Sequence, residues 1–263
     1  SHMNMAAIGF CCIDVYENIG KRYATGNGVD CIVHLARRGV STAVVSVVGT
    51  DEYGGEMFDL CREYQMDTSH LQVKEGKTSV YRMALKDGVD RVHLENIPGV
   101  MEYYEPTRKD IEFTKTFDYI HTDLTGRVLH LLPEFKEAGC KVIFDFSINK
   151  DEENMAAVLP YVHCAFFSCE KKTPEIREFL IKARSYGPEY VVATFGEEGS
   201  MCYDGERFCE QGIRVVPVVN TVGAGDSFIA GFTWGLMVGR DIEGCLKEGA
   251  DLSAQIVQRF NPY

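Results

Sequence analysis

Apolar and polar positions along this chain alternate in two rhythms. Residues 5–16 (MAAIGFCCIDVY) are mostly apolar and predict a first strand ending at polar Asp14. Residues 27–38 (NGVDCIVHLARR) carry apolar positions at helical spacing and stop at Gly39. The β-branched run 42–48 (TAVVSVV) ends at Gly49 as a strand would, and helical periodicity returns over 54–65. Strand, helix, strand, helix in that order predicts crossover units and a largely parallel sheet.

The next stretch has a different period. Residues 71–97 hold short alternating segments, TSVYRMAL and DRVHLENI, separated by Lys86-Asp87-Gly88-Val89-Asp90, which predicts a β-hairpin. Such strands make either an ordinary edge hairpin or a small sheet beside the main body. The α/β rhythm then resumes: strand 118–121, helix 127–138, strand 141–146, helix 151–159, strand 164–168, helix 174–186 and strand 189–195. Short alternating pieces follow over 200–216. A long helix is predicted over 224–238 and further helix near 241–259. No repeat or flexible linker divides the chain, so one α/β domain over 4–263 with a small strand-rich lid is expected. Ser1-His2-Met3 reads as an expression-tag remnant (residues 1–2) before a start methionine.

Charge and cysteine content narrow the function classes. Thirty-nine acidic residues against 27 Lys and Arg give a formal charge of -12, which disfavours a nucleic-acid or acidic-membrane surface but allows a local phosphate pocket. No apolar run approaches the roughly 20 residues that cross a bilayer. The ten cysteines include no CxxC pair, and most lie in apolar stretches. That pattern predicts reduced, mostly buried thiols in a cytoplasmic protein. The histidines at 34, 70, 93, 121, 130 and 163 show no metal-ligand spacing.

The segment with most chemical content is Thr221-Val222-Gly223-Ala224-Gly225-Asp226-Ser227-Phe228, a glycine-rich turn after an apolar run and before an apolar helix. Gly223, Ala224 and Gly225 let backbone N–H groups approach an anion at a helix N-terminus. Asp226 falls in the first turn, where the helix dipole is expected to keep it ionised and able to accept a proton. Amides on a moving phosphoryl group and a carboxylate on the attacking hydroxyl suit phosphoryl transfer. The GxxxxGK(S/T) loop is absent, and so is a GxGxxG fingerprint after the first strand, which argues against a nicotinamide-dependent oxidoreductase. Spacing alone equally describes an Asp-bearing helix start after a tight turn.

This segment resembles the D-T-x-G-A-G-D-x-F signature of the ribokinase-like (PfkB-type) carbohydrate kinases, matching from Thr221 to Phe228 and departing at Asn220, where the family has Asp. The resemblance implies a ribokinase-like three-layer sandwich with a mostly parallel central sheet and a β-lid built from strands near 13–25 and 71–99. It implies Asp226 as catalytic base and Gly223, Ala224 and Gly225 as the anion hole. For the sugar it implies Asp14 and the T-G-N-G-V-D stretch, similar to G-G-N-x-x-N, with Gly26 and Asn27 retained, Thr25 for Gly and Asp30 for Asn. An Asx turn or cap is the plain alternative at Asp14. Asp30 brings negative charge to a position usually held by an amide, which suits a substrate amine or sugar hydroxyls.

Thr194, Gly196 and Gly199 resemble the T-x-G-x-x-G nucleotide segment. The adenine is implied between the loop around Val218–Asn220 and the helix around Ala250–Ser253, so Asn220 and Ser253 join the ATP site. ATP and Mg2+ are the implied cofactors. The family's N-x-x-E metal-network motif is broken here, with Ser168 in the Asn position and the Glu position near Lys171, so the metal residues stay open, with Glu170 and Glu175 as nearby candidates acting through water. Asp123 and Asp145, at successive strand ends, are expected to face one crevice or to cap helices. Arg91 and Arg82 on the lid are candidate substrate contacts.

Spacing and chain length within the family are similar to the fructoselysine 6-kinase branch, and fructokinase, ribokinase or another sugar kinase is the alternative. A non-catalytic sugar-binding protein would retain Asp14 and Asn27 without needing Asp226. A homodimer through the lid is also implied.

Overall fold

The computed structural model describes residues 3–88, 90–259 and 261–263. The expected tag remnant Ser1-His2 and Val89 of the expected turn lie outside the described residues.

In chain order the strands are β1 (Asn4–Ile8), β2 (Cys12–Tyr16), β3 (Lys21–Thr25), β4 (Ser41–Gly49), β5 (Leu71–Lys74), β6 (Val80–Lys86), β7 (Asp90–Ile97), β8 (Tyr119–Asp123), β9 (Lys141–Ser147), β10 (Cys164–Ser168), β11 (Tyr190–Thr194), β12 (Ser200–Tyr203) and β13 (Phe208–Gln211). The helices are α1 (Asn27–Arg37), α2 (Glu52–Glu63), α3 (Arg108–Thr114), α4 (Leu132–Glu137), α5 (Glu152–Val158), α6 (Ile176–Ser185), α7 (Ala224–Met237) and α8 (Ile242–Val257). A nine-stranded sheet runs β13-β12-β11-β10-β9-β8-β1-β4-β5. It is parallel from β5 to β11, and β12 and β13 are antiparallel. A second sheet, β3-β2-β6-β7, stands apart from it.

Strand alternation sorts the core into two layers. Ile120, Val142, Phe144, Phe167 and Val191 project to the side packed by α3 to α6. Tyr119, Ile143, Cys164, Phe166 and Val192 project to the side packed by α1, α2, α7 and α8. Two helical layers around a mostly parallel sheet are therefore present, because strands buried on both faces read as continuous apolar runs. Among the described residues all ten cysteines are free, and all but Cys169 are buried. No helix of the described residues is long and apolar enough to cross a membrane.

Four expectations change. The run 5–16 is two strands in two different sheets, broken at Gly9. That residue has φ +122°, and a Cβ on it would sit 2.6 Å from the Gly126 Cα. Asp14 is consequently mid-strand in β2, and an end of the first strand or a cap is not its place. Strand 71–74 pairs in parallel with β4, so this part of the expected lid belongs to the main sheet. Helix 127–138 shrinks to 132–137, since Arg127 has φ +60° and cannot begin a helix. Helix α3 was not expected, although its capping box, Thr107 with Asp110, is visible in the sequence.

Candidate active site

Parallel strands carry their carboxyl ends to one edge of the sheet, where crossover topology leaves a crevice. Asp123 and Asp145 lie opposite each other in register on β8 and β9. Both point to the face that carries α1 and α7, because they share phase with Tyr119 and Ile143. The Asp123 carboxylate accepts from the Thr125 N–H at 2.9 Å, the Thr125 hydroxyl at 2.7 Å and the Asn27 amide at 3.2 Å. Asp145 accepts from the Ser147 N–H at 2.7 Å. Burial pushes Asp145 up to about 7, with the Asp123 charge adding to it and Arg91 opposing.

Helix α1 begins at this crevice. Gly26 precedes it, held so close to the previous turn that a Cβ would lie 2.8 Å from the Phe10 carbonyl oxygen. Asn27 opens the helix and reaches Asp123, and Asp30 completes the first turn with its N–H donated to the Gly26 carbonyl at 2.8 Å. The Thr25 hydroxyl donates toward both Asp30 carboxyl oxygens, each at 2.7 Å. Asp30 is buried, and its charge reaches Asp226 and pushes that carboxyl up.

Helix α7 supplies the other side. Gly223 is its N-cap at φ +80°, with no side chain capping the terminus. The Ala224 N–H donates to the Thr221 carbonyl at 3.2 Å, whereas those of Gly223 and Gly225 have no partner among the described residues. The terminus is thus open to an anion at two of the three expected positions. Asp226 sits in the first turn, buried, facing Asp30.

The helix dipole is not the largest influence on the Asp226 carboxyl. Burial pushes its carboxyl well above the usual range, and the Asp30 and Asp145 charges push further. A helix terminus contributes about 0.3–1 kcal/mol, too little against full desolvation beside two carboxyls. Asp14, on β2, accepts from the Cys12 thiol at 3.5 Å, and burial raises it to about 6. Arg91 of β7 is the cation that lowers Asp14, Asp30, Asp145 and Asp226 alike, so its charge faces this crevice from the small sheet. Arg82 does not share that role. Its guanidinium is engaged by Glu17 at 2.8 and 2.9 Å and by Glu95 at 3.0 Å.

The other sequence-predicted positions form a second group. Thr194 ends β11, and its carbonyl accepts from the Cys169 N–H at 2.8 Å. Gly196 and Gly199 bracket the following turn, closed by the Phe195 N–H donating to the Gly199 carbonyl at 2.8 Å. Asn220 is fully buried, and its side-chain oxygen accepts from the Val222 N–H at 2.9 Å. The Val219 N–H, at 2.7 Å, and the Asn220 N–H, at 3.3 Å, donate to the Val257 carbonyl and tie this loop to the end of α8. Ser253 is half-buried on the same helix. Glu170 and Glu175 are exposed on the connection from β10 to α6, and no cluster of three or more His, Cys, Asp or Glu suited to a metal occurs among the described residues.

Three contributors were not singled out from sequence. Thr25 clamps Asp30, and only its departure from the glycine of the motif hinted at that. Tyr263 donates its hydroxyl to the Ala24 carbonyl at 2.7 Å, and Pro262 packs on Gly223, where a Cβ would meet its carbonyl oxygen at 2.5 Å. No local pattern announces contacts of that sequence separation.

The chain is 32% identical to the fructoselysine 6-kinase of Escherichia coli (strain K12), with 97% of each chain covered. It is 28% identical to the fructosamine kinase FrlD of Bacillus subtilis (strain 168), over 96% of this chain and 90% of that one. Its fold superposes on Arabidopsis thaliana ribokinase complexed with ribose and ATP at a TM-score of 0.84 and 19% identity, covering 99% and 94% of the two chains. It superposes on adenosine kinase from Sinorhizobium meliloti at 0.86 and 15% identity, covering 100% and 96%. The fold is therefore a ribokinase-like sandwich. Residues 4–263 match the family described as pfkB family carbohydrate kinase, and the chain belongs to that family.

Proposed function

We propose that this ATP-dependent carbohydrate kinase phosphorylates a sugar-amine, fructoselysine, on a hydroxyl of its sugar, giving fructoselysine 6-phosphate. The observation that carries the reading is Asp226 at an open, glycine-started helix terminus, facing the Asn27–Asp30 turn of α1. The full-length likeness to a fructoselysine 6-kinase and a fructosamine kinase supports the substrate. Acid-rich surroundings support it too: Asp14, Asp30, Asp123, Asp145 and Asp226 outnumber Arg91, which favours a cationic amine.

On this reading Asp14, Asn27 and Arg91 orient the sugar under the small sheet, which acts as a lid, with Gly26 setting the start of α1 against it. Asp226 takes the proton of the attacking hydroxyl. The Gly223 and Gly225 N–H groups stabilise negative charge on the phosphoryl group, and Ala224 contributes backbone shape more than its engaged N–H. Thr194, Gly196, Gly199, Asn220 and Ser253 line the nucleotide side, where the half-exposed Val218 and Val219 offer apolar contact to the adenine. The open helix terminus fits nucleotide phosphates. Mg2+, when bound with them, would neutralise phosphate charge, with exposed Glu170 or Glu175 as candidates to act through water. Exposed Val92, Leu94 and Ile97 on edge strand β7 support pairing with a second copy. The free buried cysteines suit a reducing, cytoplasmic setting.

The test is MgATP consumption against fructoselysine, fructose, ribose and a nucleoside, with Asp226→Asn in parallel. Selective turnover of fructoselysine, lost in the variant, is expected. Preferred turnover of a plain sugar would displace the substrate, and an active variant would displace the base.

A further inference from the structure

The small sheet turns one face toward the crevice. On β2, Tyr16 forms an apolar cluster with Met83 and Leu85 of β6 and with Val222 of the glycine turn, whereas Ile13 joins the main core. Strand alternation puts Asp14 on the same face as Tyr16. Asp14 is in register with Tyr23 on β3 and with Tyr81 on β6. Cross-strand neighbours on one face lie about 5 Å apart at Cβ, so a tyrosine flanks this carboxylate on either side. Both rings are braced edge to face. Tyr23 meets Tyr16 at 6.2 Å between centroids, and Tyr81 meets Phe10 at 5.6 Å and His93 at 5.4 Å.

Two polar groups on this face are short of partners. Among the described residues the Asp14 carboxylate accepts only from the Cys12 thiol, a weak donor at 3.5 Å. The Tyr16 hydroxyl is buried and has no hydrogen-bond partner among them. A carboxylate between two aromatic rings suits an ammonium group, which meets the negative charge and the ring faces together. A neutral sugar edge would use the same rings only as apolar walls.

We propose that Tyr23, Asp14 and Tyr81 form an ammonium seat: they hold the amine that links the sugar to its side chain, with the Tyr16 hydroxyl as a further acceptor, and so select a sugar-amine over the plain sugar. This rests on the reading of the chain as a sugar-amine kinase and names the residues that read the amine. The seat is on the small sheet and Asp226 is on α7, so the amine and the phosphorylated hydroxyl meet different walls of the crevice. In a 6-phosphorylated fructosamine those groups are on carbons 1 and 6, the two ends of the sugar chain. Arg91 does not fill the seat. It pairs with Leu85, four residues along β6 from Tyr81, which is about 13 Å of strand. Its charge lowers the Asp14 carboxyl less than burial raises it, so an entering cation has a carboxyl left to ionise.

The experiment is calorimetric binding in the presence of Mg2+ and a non-hydrolysable ATP analogue. It compares fructoselysine with an analogue that carries an ether oxygen in place of the bridging amine. The two ligands match in shape and differ in one charge, so wild type carries the test even where a variant fails to fold. Wild type is expected to bind the amine about 10-fold or more tighter than the ether. That ratio is expected to fall by about threefold or more in Tyr23→Leu, in Tyr81→Leu and in Asp14→Asn, and to persist in Tyr81→Phe, which keeps the ring. A merely structural role would weaken both ligands alike and leave the ratio unmoved. Wild type that does not prefer the amine, including one that binds neither ligand, overturns the proposal, as does an unchanged ratio in the folded variants. MgATP turnover separates this outcome from the reading beneath it. Phosphorylation of fructoselysine without an amine preference in binding removes the seat and leaves the kinase reading standing. Amine-selective binding with phosphorylation of fructose alone keeps the seat and removes the substrate reading.

Discussion

Gly223 and Gly225 look interchangeable in the turn G-A-G-D, but the structure gives them opposite sensitivities. Gly223 has φ +80°, a conformation costing an L-residue about 1–2 kcal/mol. A Cβ there would also sit 2.5 Å from the Pro262 carbonyl oxygen and 2.8 Å from its Cα, so Gly223→Ala must push the segment Asn261–Tyr263 aside. That movement strains the 2.7 Å bond from Tyr263 to the Ala24 carbonyl, a further loss of about 1 kcal/mol. Reduced freedom of the unfolded chain returns roughly 0.5 kcal/mol. The balance is about 2 kcal/mol of destabilisation, which for a domain of this size lowers Tm by about 4–8 °C.

Gly225 has no such conformation and no atom within 4 Å of a Cβ. Gly225→Ala should keep Tm within about 2 °C of wild type, since alanine also favours the helix. Its methyl would instead sit at the open terminus beside the anion position, and kcat/KM should fall by about 100-fold. Thermal and urea unfolding of the two variants, with MgATP-dependent turnover, measure both quantities. A Gly225→Ala protein as unstable as Gly223→Ala, or a Gly223→Ala protein with wild-type Tm, would refute the reasoning.

Two further outcomes follow from single contacts. Tyr263→Phe removes the hydroxyl that bonds the Ala24 carbonyl and should cost about 1 kcal/mol in urea unfolding, and an unchanged midpoint would show the bond to be idle. Asp145 is raised by burial from its ordinary 3.8 to about 7, so between those values the folded protein holds a proton that the unfolded chain has lost. Its contribution is complete below about pH 4 and is lost as pH rises through 7, on the order of a few kcal/mol. Asp145→Asn should therefore gain stability relative to wild type between pH 5 and pH 8, and a pH-independent difference would contradict the assignment.

How much was legible in the sequence depended on range. The run TAVVSVV gives β4 nearly to the residue, and the helix behind the glycine turn gives α7, because these signals are local and strong. The place of Asp226 in the first turn of α7 was legible for the same reason: the glycines, the helix start and the acid are contiguous. The break at Gly9 was not, since its cause is the backbone of Gly126 on the far side of a loop. Nor was the upward push on the Asp226 carboxyl legible. Local reasoning sees the helix dipole, but Asp30 and Asp145 reach the same space from α1 and β9, and their effect exceeds that of the terminus. Arg82 and Arg91 are alike in sequence and differ only in the sheet face and the partners each meets.

The acid-rich crevice poses a problem for any polyanionic donor, and protonation offers the answer. Fully ionised, Asp14, Asp30, Asp145 and Asp226 would place several negative charges where nucleotide phosphates must approach, in a chain that already carries a formal -12. Burial works against that. Each of these carboxyls is raised, so the crevice near neutral pH holds fewer charges than carboxyls, and Arg91 offsets part of the remainder. On the proposed reading, the N–H groups of Gly223 and Gly225 would then meet a phosphate with less competing repulsion. A substrate amine benefits in the opposite sense, since a cation entering beside half-protonated carboxyls favours their ionised forms. On the proposed reading, binding of the sugar-amine would itself help to ionise Asp226, and the base would strengthen only when there is a hydroxyl to deprotonate.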